Sequence, residues 1–114
     1  MAEKLYDLEA LNVLVDRNEK FKRNLIELFN QTTPAILEDI QKSYTSKDWN
    51  GLYSHLHKIK PTIESMGIHS MKPLIHKMME KTKNVQDSEK LGQMLTEFCR
   101  TIEVVIEQLK TNEL

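Results

Sequence analysis

The sequence predicts an all-α fold, an antiparallel four-helix bundle with one or more additional short helices at the N-terminus. Apolar residues recur at intervals of three and four almost throughout the 114 residues, and no segment shows the convincing alternation of a strand. Three prolines and three glycines leave room only for short connections, which favours antiparallel neighbours. With 39% apolar and 29% charged residues the composition is that of a globular protein, and we expect one domain over residues 1–114.

Two helices are expected in the first half of the bundle. A leucine-rich segment predicts a short opening helix with apolar positions Leu5, Leu8, Leu11 and Leu14. A second apolar stripe starts at residues 21–29 and continues toward Ser46. Pro34 leaves two alternatives open: Thr32 and Thr33 cap a new helix with the proline in its first turn, or the proline kinks one longer helix.

Three further helices complete the predicted bundle. Asp48 is a candidate N-cap for a helix that Gly67 ends, and Ser70 is a candidate cap for the next helix. A polar turn from Asn84 to Ser88 precedes the last helix. The inward-facing positions predicted for the three helices are Leu52, Leu56, Ile59, Ile63 and Met66, then Met71, Leu74, Ile75 and Met78, and finally Leu91, Leu95, Phe98, Ile102, Val105 and Leu109.

Charge and composition argue against several classes of function. Sixteen basic residues nearly balance seventeen acidic ones, so no bulk charge points to nucleic acid or to a membrane surface. No signal-peptide core is visible, and no apolar run approaches the roughly 18 residues of a membrane span. The single cysteine, Cys99, has no partner in the chain, and the scattered glycines form no nucleotide-binding loop. We therefore expect a cytoplasmic protein.

Two histidines of the predicted 48–66 helix face different surroundings. At about 100° per residue, His57 lies roughly 140° from the apolar axis, whereas His55 lies roughly 60° away, at the edge of the core. An exposed neutral imidazole can act as a nucleophile at pH 7. Lys60, one turn on, is placed to neutralise a phosphate. Pro61 removes the helical hydrogen bond to the His57 carbonyl, and such local irregularities are typical of functional sites.

The residues alone leave other interpretations open. An exposed histidine on an amphipathic helix is usually solvated surface, Lys60 is by itself an ordinary surface lysine, and Pro61 could serve packing. A metal site is another alternative, for which the candidate ligands are His55, His57, His69 and His76. No pair of these histidines has the i, i+4 spacing that places two ligands on one helical face.

The string His57-Lys58-Ile59-Lys60-Pro61-Thr62, followed by Gly67, resembles the signature of histidine phosphotransfer (HPt) domains. That motif is a histidine, any residue, Leu or Ile, Lys, usually Gly and a small residue, with a later Gly closing the helix. The resemblance extends over nearly the whole chain, which looks like a stand-alone member of the family. The chain departs from the pattern at Pro61, where Gly is commonest, and at Met79, which takes the place of a polar side chain that holds the imidazole in many members.

The resemblance implies a phosphorelay function. His57 would accept a phosphoryl group through Nε2 from the aspartyl phosphate of a receiver domain and pass it to another receiver. Lys60, and more weakly Lys58, would neutralise the phosphate, while Gly67 would be structural. Members of the family are carriers, so we expect no kinase or ATPase activity and no cofactor or metal on this chain, with Mg²⁺ on the receiver.

The implied partners are the receiver domains of hybrid sensor kinases and of response regulators, with no nucleic acid and no membrane, and the chain is expected to be a monomer. Tyr53, Pro61 and Glu64 share the face of His57 and are the candidate partner-binding residues. The opening segment offers further apolar contacts, Leu11, Val15 and Phe21, unless these residues simply cover the end of the bundle. The alternative function is a non-phosphorylated adaptor that only docks receiver domains.

Overall fold

The computed structural model describes residues 3–114, which form five α-helices. In chain order these are α1 (Glu9–Leu14), α2 (Glu19–Thr45), α3 (Trp49–Ser65), α4 (Lys72–Lys83) and α5 (Ser88–Glu113), with a 3₁₀ turn, His69–Met71, before α4. The four longer helices close a ring in which α3 packs against α2 and α4, and α5 packs against α4 and α2. The predicted all-α bundle with a short additional N-terminal helix is confirmed, and residues 3–114 contain no strand.

The core includes the complete apolar stripes that the helical periodicity predicted for α3 and α5. Every predicted inward position of α3 and α5, eleven in all, is at most 4% exposed. Burying one Leu, Ile or Phe side chain contributes about 1.5–3 kcal/mol, so the stripe of α3 fixes the rotation of that helix about its axis. On α4, Ile75 and Met78 are fully buried, whereas Leu74 is only partly buried.

α2 is one continuous helix that contains Pro34, which decides between the two alternatives for that residue. Thr32 and Thr33 lie inside the helix and cap nothing at a new N-terminus. The Thr33 side chain is buried, and the Thr32 hydroxyl donates to a backbone carbonyl one turn earlier at 2.9 Å. The N-cap of α2 is Asn18, whose side-chain oxygen accepts from the Phe21 amide at 2.9 Å.

α3 begins and ends where its caps predicted. The Asp48 carboxylate accepts from the Gly51 amide at 2.9 Å. At the other end Gly67 adopts a φ of +64° and donates to the Glu64 carbonyl at 3.1 Å. The Ile68 amide then reaches back to Ile63, which completes a Schellman motif.

The prediction that Ser70 caps the next helix is wrong. Ser70 lies in the 3₁₀ turn, and the N-cap of α4 is Met71, where no side-chain cap forms. Pro73 occupies the first turn of α4, where an amide hydrogen would have no helical partner in any case. The tight turn and the proline thus start the helix without a capping side chain.

The N-terminal segment, residues 3–8, crosses the end of the bundle and is not helical. The predicted opening helix is confirmed only for Glu9–Leu14, because the Leu5 amide donates to the Gln108 side chain at 2.9 Å and not to a helical partner. Tyr6 is buried, and its hydroxyl donates to the Glu113 carboxylate at 2.6 Å. The segment is therefore fastened to the end of α5. Among residues 3–114 no helix is long and apolar enough to cross a membrane.

Candidate functional site

α3 presents His57 to solvent and places His55 at the margin of the core, half-buried, as the helical projection predicted. The two residues differ because the buried Leu56 and Ile59 set the orientation of the helix. Within residues 3–114 the His57 ring makes no side-chain hydrogen bond or ion pair, so no neighbour in this region occupies its nitrogen atoms.

Tyr53 flanks the imidazole from one turn earlier in α3. The two rings lie nearly parallel, with 6.1 Å between centroids and 19° between planes. Tyr53 is half-buried and packs against the core, so its position is fixed by the fold. Tyr53, which was predicted to bind a partner, therefore also covers one side of the His57 ring.

Two lysines of the motif lie on opposite sides of His57. At about 100° per residue, Lys60 falls on the same side as Tyr53, whereas Lys58 falls on the other side, with Pro61 between. Lys60 is half-buried along its stem, and Lys58 is exposed. A phosphate on the imidazole would thus have a cation available on each flank.

Pro61 is exposed and borders an apolar groove between α1, α2 and α3 with a volume of about 280 Å³. The groove is lined by Leu11, Leu14, Leu25, Leu28, Phe29, Thr32, Pro61, Thr62, Ser65 and Met66. α3 remains helical through Pro61, although the proline leaves the His57 carbonyl without its helical donor. The groove thus opens one turn from the imidazole.

The apolar residues that the structure exposes differ from those predicted in the opening segment. Leu11 and Val15 are buried, at 2% and 6% exposure, because α1 turns them onto the bundle, and the interpretation that they cover its end is confirmed. Phe21 is exposed, and so are Leu14 and Leu28, which were expected in the apolar stripes of the first two helices and not on a docking surface. Leu28 follows Phe21 at the i, i+7 interval, so these two residues share an outward face of α2, while Phe29 of the same predicted stripe is buried.

On the neighbouring helix α4, neither Met79 nor Glu80 is a free polar side chain that could hold the imidazole by a hydrogen bond. Met79 is buried, and Glu80 beside it is paired with Lys83 at 3.2 Å. Lys83, also absent from the predicted site, lies with its ammonium 5.9 Å from the centroid of the Tyr53 ring. Glu64 is exposed on the face of His57, as predicted.

Other regions within residues 3–114 offer fewer groups that could bind a ligand or react. No group of three or more His, Cys, Asp or Glu residues within 3–114 is arranged to hold a metal ion. A depression of about 500 Å³ lies between Lys4 and α5 and includes no residue of α3. Cys99 is buried in α5, and burial raises the pKa of its thiol, which disfavours a nucleophilic role.

A comparison with protein families identifies the family of this chain. The family model described as Hpt domain matches residues 24–112, a span that contains His57, Lys60 and Lys83. No curated protein and no solved structure matches the chain. Hpt domains are phosphocarriers of two-component signalling that interact with receiver domains and are not kinases. Because the match covers most of the chain and the structure is a helical bundle, this protein belongs to the histidine phosphotransfer domain family.

Proposed function

We propose that this protein is a phosphorelay intermediary whose phosphoacceptor is His57. It takes a phosphoryl group from the aspartyl phosphate of one receiver domain and returns it to the aspartate of another. The observation that carries the proposal is the exposed imidazole on α3, without a side-chain hydrogen bond or ion pair within residues 3–114 and flanked by two lysines, in a chain of the phosphocarrier family.

The transfer step needs little covalent help from this chain. With the His57 proton on Nδ1, the Nε2 lone pair attacks phosphorus in line, the Nε2–P bond forms and the P–O bond to the aspartate breaks. The electron pair of that bond leaves with the carboxylate, and the Nδ1 proton stays on the ring during transfer. Transfer of this kind depends on positioning and charge neutralisation, which Lys60 and, more weakly, Lys58 supply here. The proposal assigns Mg²⁺ to the receiver.

The apolar groove beside Pro61 is the proposed binding site for the receiver domain. Its exposed apolar lining, Leu14 and Leu28, shares the groove with Pro61, so a receiver placed on it would bring its aspartate to the face of His57. Receivers of this family present an apolar patch beside their aspartate, which matches an apolar rim. Tyr53 and Glu64 border the same face and complete the proposed contact surface.

The domain organisation, oligomeric state, location and partners of the protein are also proposed. We propose that residues 1–114 form a single domain that acts as a cytoplasmic monomer and meets the receiver domains of a hybrid sensor kinase and of a response regulator. In support, the apolar helix faces meet in one continuous core within residues 3–114. Light scattering of the purified protein would measure its mass, and a dimer at working concentration would contradict the monomer.

The test is phosphoryl transfer from a phosphorylated receiver domain, with His57→Gln and His55→Gln as matched variants. We expect acid-labile label on the wild type and on His55→Gln and none on His57→Gln. Label that disappears only in His55→Gln would show that His55, and not His57, is the phosphoacceptor. Receiver binding without label in any variant would favour the adaptor function.

A further inference from the structure

The Tyr53 ring is held in place by the rest of the bundle. The residue is half-buried and packs against the core. From α4, the Lys83 ammonium lies 5.9 Å from the centroid of the same ring. Because the fully buried Leu52 and Leu56 set the rotation of α3, Tyr53 would lose packing if it turned away from this position.

Helix geometry directs the His57 imidazole onto this ring. Residues four apart lie on one face of a helix, about 40° apart around the axis and about 6 Å apart along it. Helical side chains also lean toward the N-terminus, so the side chain of residue 57 leans over that of residue 53. The two rings accordingly lie 6.1 Å apart between centroids with 19° between their planes, in the range of offset-stacked pairs.

Within residues 3–114, stacking is the restraint on the imidazole, because no side-chain hydrogen bond holds it there. On α4, Met79 is buried and apolar, and Glu80 is paired with Lys83 at 3.2 Å. The outer torsion of a histidine side chain is broad, so an exposed imidazole without contacts samples many orientations. A flat ring packed alongside excludes those orientations in which the two ring planes cross.

We infer that Tyr53 is a positioning residue for His57, whose ring stacks on the imidazole and holds it in one orientation for attack on phosphorus. The inference rests on the proposed function, because it takes His57 as the phosphoacceptor. Tyr53 acts through the imidazole and not on the reacting atoms. An imidazole that is already oriented loses less rotational freedom when it reaches the in-line geometry of transfer.

The experiment uses phosphoramidate as the phosphodonor. This donor is too small to bind the proposed docking surface, so an effect of Tyr53 on it cannot come from receiver binding. His57 Nε2 attacks phosphorus, the P–N bond breaks and ammonia leaves, while the Nδ1 proton stays on the ring. The appearance of phosphohistidine is followed by ³¹P NMR.

Three variants are compared with the wild type. Tyr53→Phe keeps the flat ring, whereas Tyr53→Leu keeps an apolar side chain against the core without the ring. Trp49→Leu is the matched control, because Trp49 is another partly buried aromatic residue of α3, about 12 Å from His57 along the helix axis. Circular dichroism checks that each variant is folded.

We expect Tyr53→Leu to be labelled about fivefold more slowly than the wild type, as the loss of one aromatic pair implies. Tyr53→Phe, the conservative variant, should restore the rate, and Trp49→Leu should keep it. A role of Tyr53 in packing alone would give the Leu and Phe variants the same rate. Equal rates for Tyr53→Leu and the wild type, or equal slowing by Trp49→Leu, would overturn the inference.

NMR of the unphosphorylated protein measures the orientation of the imidazole directly. Three-bond couplings from His57 Cγ to the backbone nitrogen and carbonyl carbon report its first side-chain torsion, and contacts between ring protons report the stacking. We expect one rotamer and ring-to-ring contacts in the wild type and Tyr53→Phe, and averaged couplings in Tyr53→Leu. Averaged couplings in the wild type would overturn the inference even if Tyr53→Leu were labelled slowly.

The receiver assay separates this inference from the proposed function. Slow labelling and averaged couplings in Tyr53→Leu, combined with failure of every receiver to transfer, would keep Tyr53 as a positioning residue and reject the relay. Normal receiver transfer with equal phosphoramidate rates in Tyr53→Leu and the wild type would do the reverse. Failure of phosphoramidate to label His57 in the wild type would also overturn the inference, since no transfer would then depend on the orientation of the ring.

Discussion

Gly67, at the end of α3, lies so close to the backbone of Asp7 that a Cβ atom at residue 67 would overlap the Asp7 carbonyl. Its φ of +64° independently favours glycine. The residue that ends α3 is therefore also in close contact with the N-terminal segment, residues 3–8. Gly67 thus couples the end of α3 to the position of that segment.

Gly67→Ala should lower the free energy of unfolding by about 2 kcal/mol or more, because it adds left-handed strain to a steric overlap with backbone that has no flexible end to move. Urea unfolding followed by circular dichroism measures the change. Lys47→Ala is the matched control, since Lys47 already holds a φ of +58° without being glycine. That control should stay within about 0.5 kcal/mol of the wild type. Equal losses in both variants would argue against the Asp7 contact.

Lys47→Gly should stabilise the protein by about 0.5 kcal/mol. Lys47 occupies the left-handed position of the turn after α2, where its amide donates to Tyr44 at 3.0 Å and the next amide donates to Ser43 at 2.9 Å. Glycine keeps both hydrogen bonds and removes the strain of a side chain at positive φ. The urea midpoint should rise with an unchanged slope.

Ser46→Gly is the control for this change, because Ser46 precedes Lys47 with a φ of −83°. At that ordinary backbone angle glycine gains nothing and loses chain entropy on folding, so the midpoint should fall. A rise in both variants would mean that the left-handed conformation of Lys47 carries no cost.

The buried Tyr6 hydroxyl should make stability fall in alkaline solution. Burial, together with the hydrogen bond to Glu113, raises the pKa of Tyr6 from 10.0 to about 12. Because the folded state holds the proton more tightly, this contribution is complete below pH 10, the unfolded value, and is lost as the pH rises toward 12. Urea unfolding at a series of alkaline pH values should show the decline.

Tyr6→Phe should be less stable by about 1.5 kcal/mol at neutral pH, since it leaves the Glu113 carboxylate without this donor, and should lack the alkaline decline due to Tyr6. Glu113→Gln keeps an acceptor but no charge, so it should retain only the part of the decline that burial causes. A Tyr6→Phe profile parallel to that of the wild type would show that other groups dominate the alkaline loss.

Leu28→Asp should weaken binding of a cognate receiver about tenfold, which corresponds to about 1.4 kcal/mol. Leu28 is 53% exposed on the rim of the groove, so the carboxylate would oppose an apolar partner without disturbing the core. Titration calorimetry with the receiver measures the change in Kd. Val104→Asp places the same charge at a 38% exposed apolar residue of α5, outside the groove, and should bind normally. Identical Kd values for Leu28→Asp and the wild type would place the receiver elsewhere.

The site was predictable from the sequence to the extent that it depends on one helix. The exposure of His57, the edge position of His55 and the two ends of α3 follow from periodicity and capping within residues 48–67. The roles assigned to His57, Lys58 and Lys60 stay predictions. For Ser70 the cap rule failed because a 3₁₀ turn and a proline can start a helix without it.

By itself, the sequence determined which faces of α3 and α5 are buried and hence that His57 faces outward, because those properties repeat along a single helix. Only the tertiary structure decided that Lys83 lies near Tyr53, that Leu28 is exposed while Leu11 is buried, and that the N-terminal segment rests on Gly67. Such contacts depend on the axial register and crossing of helices far apart in the chain. Helical periodicity specifies a rotation about one axis and leaves that register unspecified.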